Sequence, residues 1–281
     1  MSDLSALNTR LGIAGQLVFE EAPAGFAVAK ISNRHASARI ALQGAHVMSW
    51  NPGHHQGVIW LSGDASFAPG KSIRGGVPVC WPWFGAHVTE PGFPAHGFAR
   101  TVSWEITDTK SLDDGATFLA LRLTGTDATR RQWPHTTPLE CHITVGATLE
   151  IELITRNQGS TPVTIGEALH TYFTVGDIRE AQILGLENGL YVDKVDNGQR
   201  KRQTGAVEFT GETDRVYLDT MADCLIVDPV LNRRIRITKR GSQSTVVWTP
   251  WAEKAVKMGD MGENGYLKMV CVESANALDN V

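Results

Sequence analysis

The sequence predicts an all-β protein of mostly antiparallel strands, on three observations: short runs in which apolar and polar residues alternate, turn residues between those runs, and almost no helical periodicity. The run Thr117-Phe118-Leu119-Ala120-Leu121-Arg122-Leu123 and the run Leu149-Glu150-Ile151-Glu152-Leu153 place apolar side chains at every second position, the period of a half-buried strand. Arg234-Ile235-Arg236-Ile237-Thr238 repeats the pattern with its charges outward. Asp113-Asp114-Gly115 and Asp196-Asn197-Gly198 interrupt the runs as hairpin turns do. Strands without intervening helices favour a sandwich or barrel over a doubly wound α/β fold. No Pro/Ser-rich linker, repeat or low-complexity tract divides the chain, so one domain over residues 1–281 is expected, with residues 1–15 as a peripheral N-terminal segment.

Composition bounds the function. With 281 residues, 42% hydrophobic and 20% charged, the chain can bury a core without disulfides or metals. A formal net charge of -4 argues against nucleic-acid binding, which needs a basic face. Cys80, Cys141, Cys224 and Cys271 are scattered among apolar neighbours without CxxC spacing and read as buried thiols. The N-terminus lacks the pattern of a secretory signal, and no apolar stretch reaches the ~20 residues that span a bilayer. A cytoplasmic monomer with no membrane partner is the expectation.

Two segments depart from alternation: Ser72 to Gly85, which contains Arg74-Gly75-Gly76-Val77-Pro78 and Trp81-Pro82-Trp83-Phe84, and Pro94 to Arg100. They are dense in Gly, Pro and aromatics, so they should be shaped loops, where sites are commonly built. The rings of Trp81, Trp83, Phe84, Trp248 and Trp251 suit either stacking on sugar faces or the commoner task of filling a core. Arg74 and Arg100 stand beside or near glycines, where paired guanidinium donors suit phosphate or carboxylate; a solvated arginine is the ordinary alternative.

His170 follows the largely apolar run Ile165 to Leu169 and precedes Thr171-Tyr172-Phe173, so it should be partly buried, as a proton-transfer group or as a core histidine. Glu273 ends the apolar run Met269-Val270-Cys271-Val272; a buried carboxylate is costly unless it is paired or used. Asp214 opens an apolar stretch and suits hydrogen bonding to hydroxyls, or a strand edge. His96, His135, His142, His170 and Glu273 offer metal ligands but lack any short ligand-pair spacing, so no metal is expected. Dinucleotide, P-loop and hydrolase-serine motifs are absent, and no organic cofactor is expected.

Taken in order, Arg74-Gly75-Gly76-Val77-Pro78 with Trp81-Pro82, His96-Gly97-Phe98-Ala99-Arg100, Glu167-Ala168-Leu169-His170, Asp214-Arg215-Val216-Tyr217 and Cys271-Val272-Glu273 resemble the hexose-6-phosphate mutarotase branch of the aldose 1-epimerase-like proteins. Each motif is weak alone, but the ordered set runs through most of the chain. The resemblance implies a galactose-mutarotase-like β-supersandwich and interconversion of α and β anomers of a hexose 6-phosphate. It implies His170 and Glu273 as the catalytic pair and Arg74, His96, Arg100 and Asp214 as substrate contacts. Ala95 departs from it, standing where some relatives carry a glutamine that touches substrate. The competing readings are an epimerase of unphosphorylated sugars, a non-catalytic sugar-binding protein on the same fold, and a glycoside hydrolase using Glu273 with Asp214.

Overall fold

The computed structural model describes residues 4–22 and 25–281. They fold as two compact units: unit 1 comprises Met1–Val58, Ser66–Ile73 and Gly85–Thr164, and unit 2 comprises Ile59–Ala65, Arg74–Phe84 and Ile165–Val281. The chain passes repeatedly from one unit to the other, which is why no linker marks a boundary.

Unit 1 opens with helix α1 (Leu4–Leu11), none of whose residues is buried. Asn8 fastens it: its Oδ1 accepts from Phe19 N at 2.7 Å and its Nδ2 donates to Phe19 O at 2.8 Å. The expected peripheral segment is thus a docked helix, with residues 1–3 outside the described residues. A first antiparallel sheet follows in chain order, β1 (Leu17–Ala22), β2 (Phe26–Ser32), β3 (Ala36–Ala41) and β4 (His46–Pro52). Strand β5 (Val79–Cys80) belongs to unit 2. A second four-stranded sheet of unit 1 comprises β6 (Trp104–Ser111), β7 (Thr117–Leu123), β8 (Leu139–Val145) and β9 (Leu149–Thr155). Helix α2 (Asp127–Gln132) sits between β7 and β8, capped by reciprocal bonds between Thr126 and Thr129.

Unit 2 contains β10 (Glu167–Leu169), β11 (Tyr172–Thr174), β12 (Gln182–Leu184), β13 (Leu190–Asp193), β14 (Gln199–Arg202), β15 (Thr213–Tyr217), β16 (Cys224–Asp228), β17 (Arg233–Ile237), β18 (Ser244–Thr249) and β19 (Met269–Asn276). Its larger sheet has the order β14-β13-β15-β18-β19-β10-β5, with β11 also pairing β19, and β12-β16-β17 form a smaller one. Helix α3 (Trp251–Met258) leads out of β18 and stops at Gly259 in the left-handed conformation.

All described strand pairings are antiparallel, as the alternation predicts. The predicted strand at Thr117 is β7 with the same bounds, and the predicted turns join β6 to β7 and β13 to β14. All four cysteines are free and buried, as read from their neighbours. No described helix is long and apolar enough to cross a membrane. In unit 2 the core forms around β18 and β19, where Trp60, Tyr172, Val246, Trp248, Met269 and Cys271 cluster.

Candidate active site

The loop before β5 is shaped by its glycines. Gly75 and Gly76 have φ of 97° and 72°, and a Cβ on Gly75 would fall 2.6 Å from the Trp60 carbonyl oxygen. Only glycine permits that backbone and that approach. Gly76 N donates to Trp60 O at 2.7 Å and Ser62 N to Arg74 O at 3.1 Å, which fixes the backbone carrying Arg74. Two further carbonyls of the loop, Gly76 O and Pro78 O, accept from Tyr172 N and His170 N at 3.0 Å each, so one short segment positions the arginine and the histidine together.

Strand β19 supplies the carboxylate. It pairs with β10 through Leu169 and Ser274 and with β11 through Tyr172 and Cys271. Between these pairs His170 and Thr171 leave the ladder, yet the register is the same on both sides, so His170 stands across from Glu273. Residues directly opposite in an antiparallel pair project from the same face. The result is His170 Nε2 at 3.3 Å from Glu273 Oε1, with the Glu273 side chain 1% exposed and that of His170 12% exposed.

Register assembles the rest of this face. Asp214 on β15 pairs with Trp248 on β18, Trp248 with Cys271, and Cys271 with Tyr172, which places all four in one row across the sheet. Trp248 meets the His170 ring edge-on at 5.9 Å, and Tyr172 stacks on it at 4.9 Å. Tyr172 Oη accepts from Arg74 Nη1 at 3.0 Å, and Arg74 Nε donates to Asp260 Oδ1 at the same distance. Burial acts to lower the pKa of Arg74, but Tyr172 and Asp260 outweigh it and the value is raised. Burial also pushes the Tyr172 phenol far up, so near pH 7 it is neutral and Asp260 is the charge that holds Arg74.

Asp214 Oδ2 lies 3.8 Å from Lys194 Nζ. Burial raises the Asp214 pKa, with Lys194 and Lys254 opposing the shift. Lys194 Nζ also stands 5.8 Å from the centre of the Phe84 ring. Unit 2 therefore brings together four of the predicted site residues, Arg74, His170, Asp214 and Glu273. Its neighbouring side chains Tyr172, Asp260, Lys194 and Cys271 were not predicted. Strand alternation could have flagged Tyr172 beside His170 and Cys271 beside Glu273, since each stands two residues from its neighbour.

His96 and Arg100 belong to unit 1. His96 takes a left-handed φ of 66° beside Gly97 at 70°; its N donates to Gly85 O at 2.7 Å and its Nδ1 accepts from Gly85 N at 3.3 Å. Arg100 Nη2 donates to the backbone carbonyl of Ala95 at 2.8 Å, so position 95 still steers this arginine without a polar side chain. Trp81, Trp83 and Trp248 are all buried, the core outcome, and Trp248 also borders His170.

His170, Cys271 and Glu273 each offer a ligand atom within 4.8 Å of the others'. Sequence spacing does not reveal this cluster, because β19 presents the thiol and the carboxylate at alternate positions of one face and the histidine comes from the chain opposite.

The profile of the aldose 1-epimerase family matches residues 28–280. A protein of Escherichia coli (strain K12), described as "Putative glucose-6-phosphate 1-epimerase", is 40% identical over 248 residues, 88% of this chain and 82% of its own. The crystal structure of YeaD from Salmonella typhimurium superposes with a TM-score of 0.89 at 36% identity, covering 95% of this chain and 88% of that one. A galactose mutarotase-like protein from Lactobacillus casei ATCC 334 shares the fold at 15% identity, with a TM-score of 0.69 over 89% of this chain and 88% of its own.

Proposed function

The chain belongs to the aldose 1-epimerase family, and from that premise we propose that it interconverts the α and β anomers of a hexose 6-phosphate, glucose 6-phosphate first among them, with Glu273 as base and His170 as acid. Opening a cyclic hemiacetal requires removal of the C1 hydroxyl proton and delivery of a proton to the ring oxygen. Both oxygens sit on C1, so the acid and the base must be close neighbours. The 3.3 Å separation of His170 Nε2 and Glu273 Oε1 meets that demand and is the observation that carries the reading.

Glu273 takes the hydroxyl proton as the ring C–O bond breaks, and His170 gives its proton to the departing ring oxygen. The aldehyde turns about the C1–C2 bond and recloses with the roles exchanged. Proton count and charge balance over the cycle, and no redox step occurs. Asp214 accepts from sugar hydroxyls, and Trp248 offers an apolar wall beside His170.

Arg74 and Arg100 are the candidates for the 6-phosphate, each on the paired donors of its guanidinium, and His96 is a further candidate substrate contact. The support is the guanidinium chemistry and what the printed name of the E. coli relative says of that protein. Arg74 has a second task, because it spends donors on Asp260 and Tyr172 behind His170.

NMR exchange spectroscopy on glucose 6-phosphate, galactose 6-phosphate and glucose side by side tests the proposal. Anomer exchange fastest on a phosphorylated sugar is expected. Equal rates on glucose and glucose 6-phosphate defeat the phosphate assignment, and no exchange on any of the three defeats the enzyme reading.

A further inference from the structure

The geometry points to a second use of the acid–base pair: with Cys271 it forms a three-ligand site for a borderline-soft divalent cation such as Zn2+, whose binding blocks anomer exchange. Cys271 and Glu273 are two residues apart on β19 and project from one face, and His170 stands across from Glu273. The candidate ligand atoms lie within 4.8 Å of one another, and the His170–Glu273 edge is already 3.3 Å. Around tetrahedral zinc, with bonds of about 2.0 to 2.3 Å to nitrogen, oxygen and sulfur, ligand atoms stand roughly 3.3 to 3.8 Å apart. The longest edge therefore needs to close by roughly 1.5 Å at most.

The donor set is itself selective. Thiolate, imidazole and carboxylate together suit zinc, cobalt and cadmium, whereas magnesium and calcium prefer oxygen alone. Three protein ligands leave one position for water, which must come from the side of His170, the more exposed partner. Among the described residues no other His/Cys/Asp/Glu group is close enough to compete. On binding, the Cys271 thiol gives its proton to the buffer, while His170 and Glu273 lend the metal the lone pairs that proton transfer requires. No oxidant or reductant is needed. Cation and sugar therefore compete for one site, and the inhibitory half of this inference rests on the acid–base assignment above.

Co2+ is the probe for binding, because a tetrahedral cobalt thiolate absorbs in the near-ultraviolet and visible in a way that cobalt on surface histidines does not. Titration of the full chain is expected to raise such a band at one equivalent, and Zn2+ to bleach it. In Cys271→Ala and Cys271→Ser the band is expected to vanish and Zn2+ affinity by calorimetry to fall at least tenfold, with metal-free exchange near wild type. In the wild type Zn2+ should raise KM for the sugar and chelator should reverse the effect, while both variants stay active in Zn2+. Absence of the band in the wild type, or an equal band in the cysteine variants, overturns the site. The wild-type titration decides this even if a variant folds poorly. A cobalt band accompanied by undiminished exchange upholds the site and counts against His170 and Glu273 as acid and base, so the two readings fail separately.

Discussion

Tyr172 lies flat against His170, with ring centres 4.9 Å apart and planes 14° from parallel. Its hydroxyl is anchored by Arg74, and Arg74 by Asp260, which stands 186 residues away in sequence. The imidazole is thus backed by a ring that is itself held at its far end.

Tyr172→Phe keeps the stacking and removes the anchor. One bond from a charged donor is lost, so unfolding in urea is expected to show a loss of about 1 to 3 kcal/mol. Unchanged stability would mean that the Arg74 bond contributes nothing net.

His170→Ala and Glu273→Gln are expected to fold and to lose about a hundred- to ten-thousand-fold in anomer exchange on every sugar, the usual range for a positioned acid or base. Circular dichroism and polarimetry read the two halves separately. Near-wild-type exchange in either variant removes that residue from the chemistry.

The two arginines should part company. Arg100→Ala is expected to raise KM for glucose 6-phosphate at least tenfold with little effect on glucose. Arg74→Ala should impair both sugars, because it also releases Tyr172 behind His170. Rates on the two sugars decide it: a selective loss of glucose 6-phosphate in Arg74→Ala would return that residue to phosphate binding alone.

Lys239 gives a pH signature unconnected with catalysis. Its Nζ donates to Ser244 O at 2.6 Å and to Ser242 Oγ at 3.3 Å. Burial lowers its pKa from the usual 10.5 to about 8, with Cys224 opposing the shift. Between those values the unfolded chain binds a proton that the folded chain has released, so this residue's contribution to stability rises with pH from 8 toward 10.5, and its cost is full below 8. Lys239→Met lacks the group, while Ser242 Oγ still donates to Ser244 O at 3.1 Å. Thermal unfolding of variant and wild type should show the variant's relative advantage shrinking between pH 8 and 10, and a constant difference would defeat the assignment.

What the sequence made legible follows from burial. Strand β7 is exposed at Arg122, so its alternation survives in the letters. Strand β18 is buried along its whole length and shows none. Glu273 and His170 stood out because a titratable group in an apolar run is costly. Asp260 did not, since its meaning lies in a contact with Arg74 that no local pattern encodes. Trp251, read only as one of the aromatic rings, begins α3, too short a helix for periodicity to announce.

Under the acid–base roles proposed for His170 and Glu273, the shared register on either side of His170 and Thr171 also makes turnover a gauge of correct assembly. A slip of β19 by one residue would turn Glu273 to the opposite face and set Val272 or Ser274 across from His170. Such a chain would keep its strand content and look native by far-ultraviolet dichroism. In refolding, catalysis would therefore return only with the properly threaded sheet, and any lag behind the spectroscopic signal would measure how long misaligned β19 takes to correct itself.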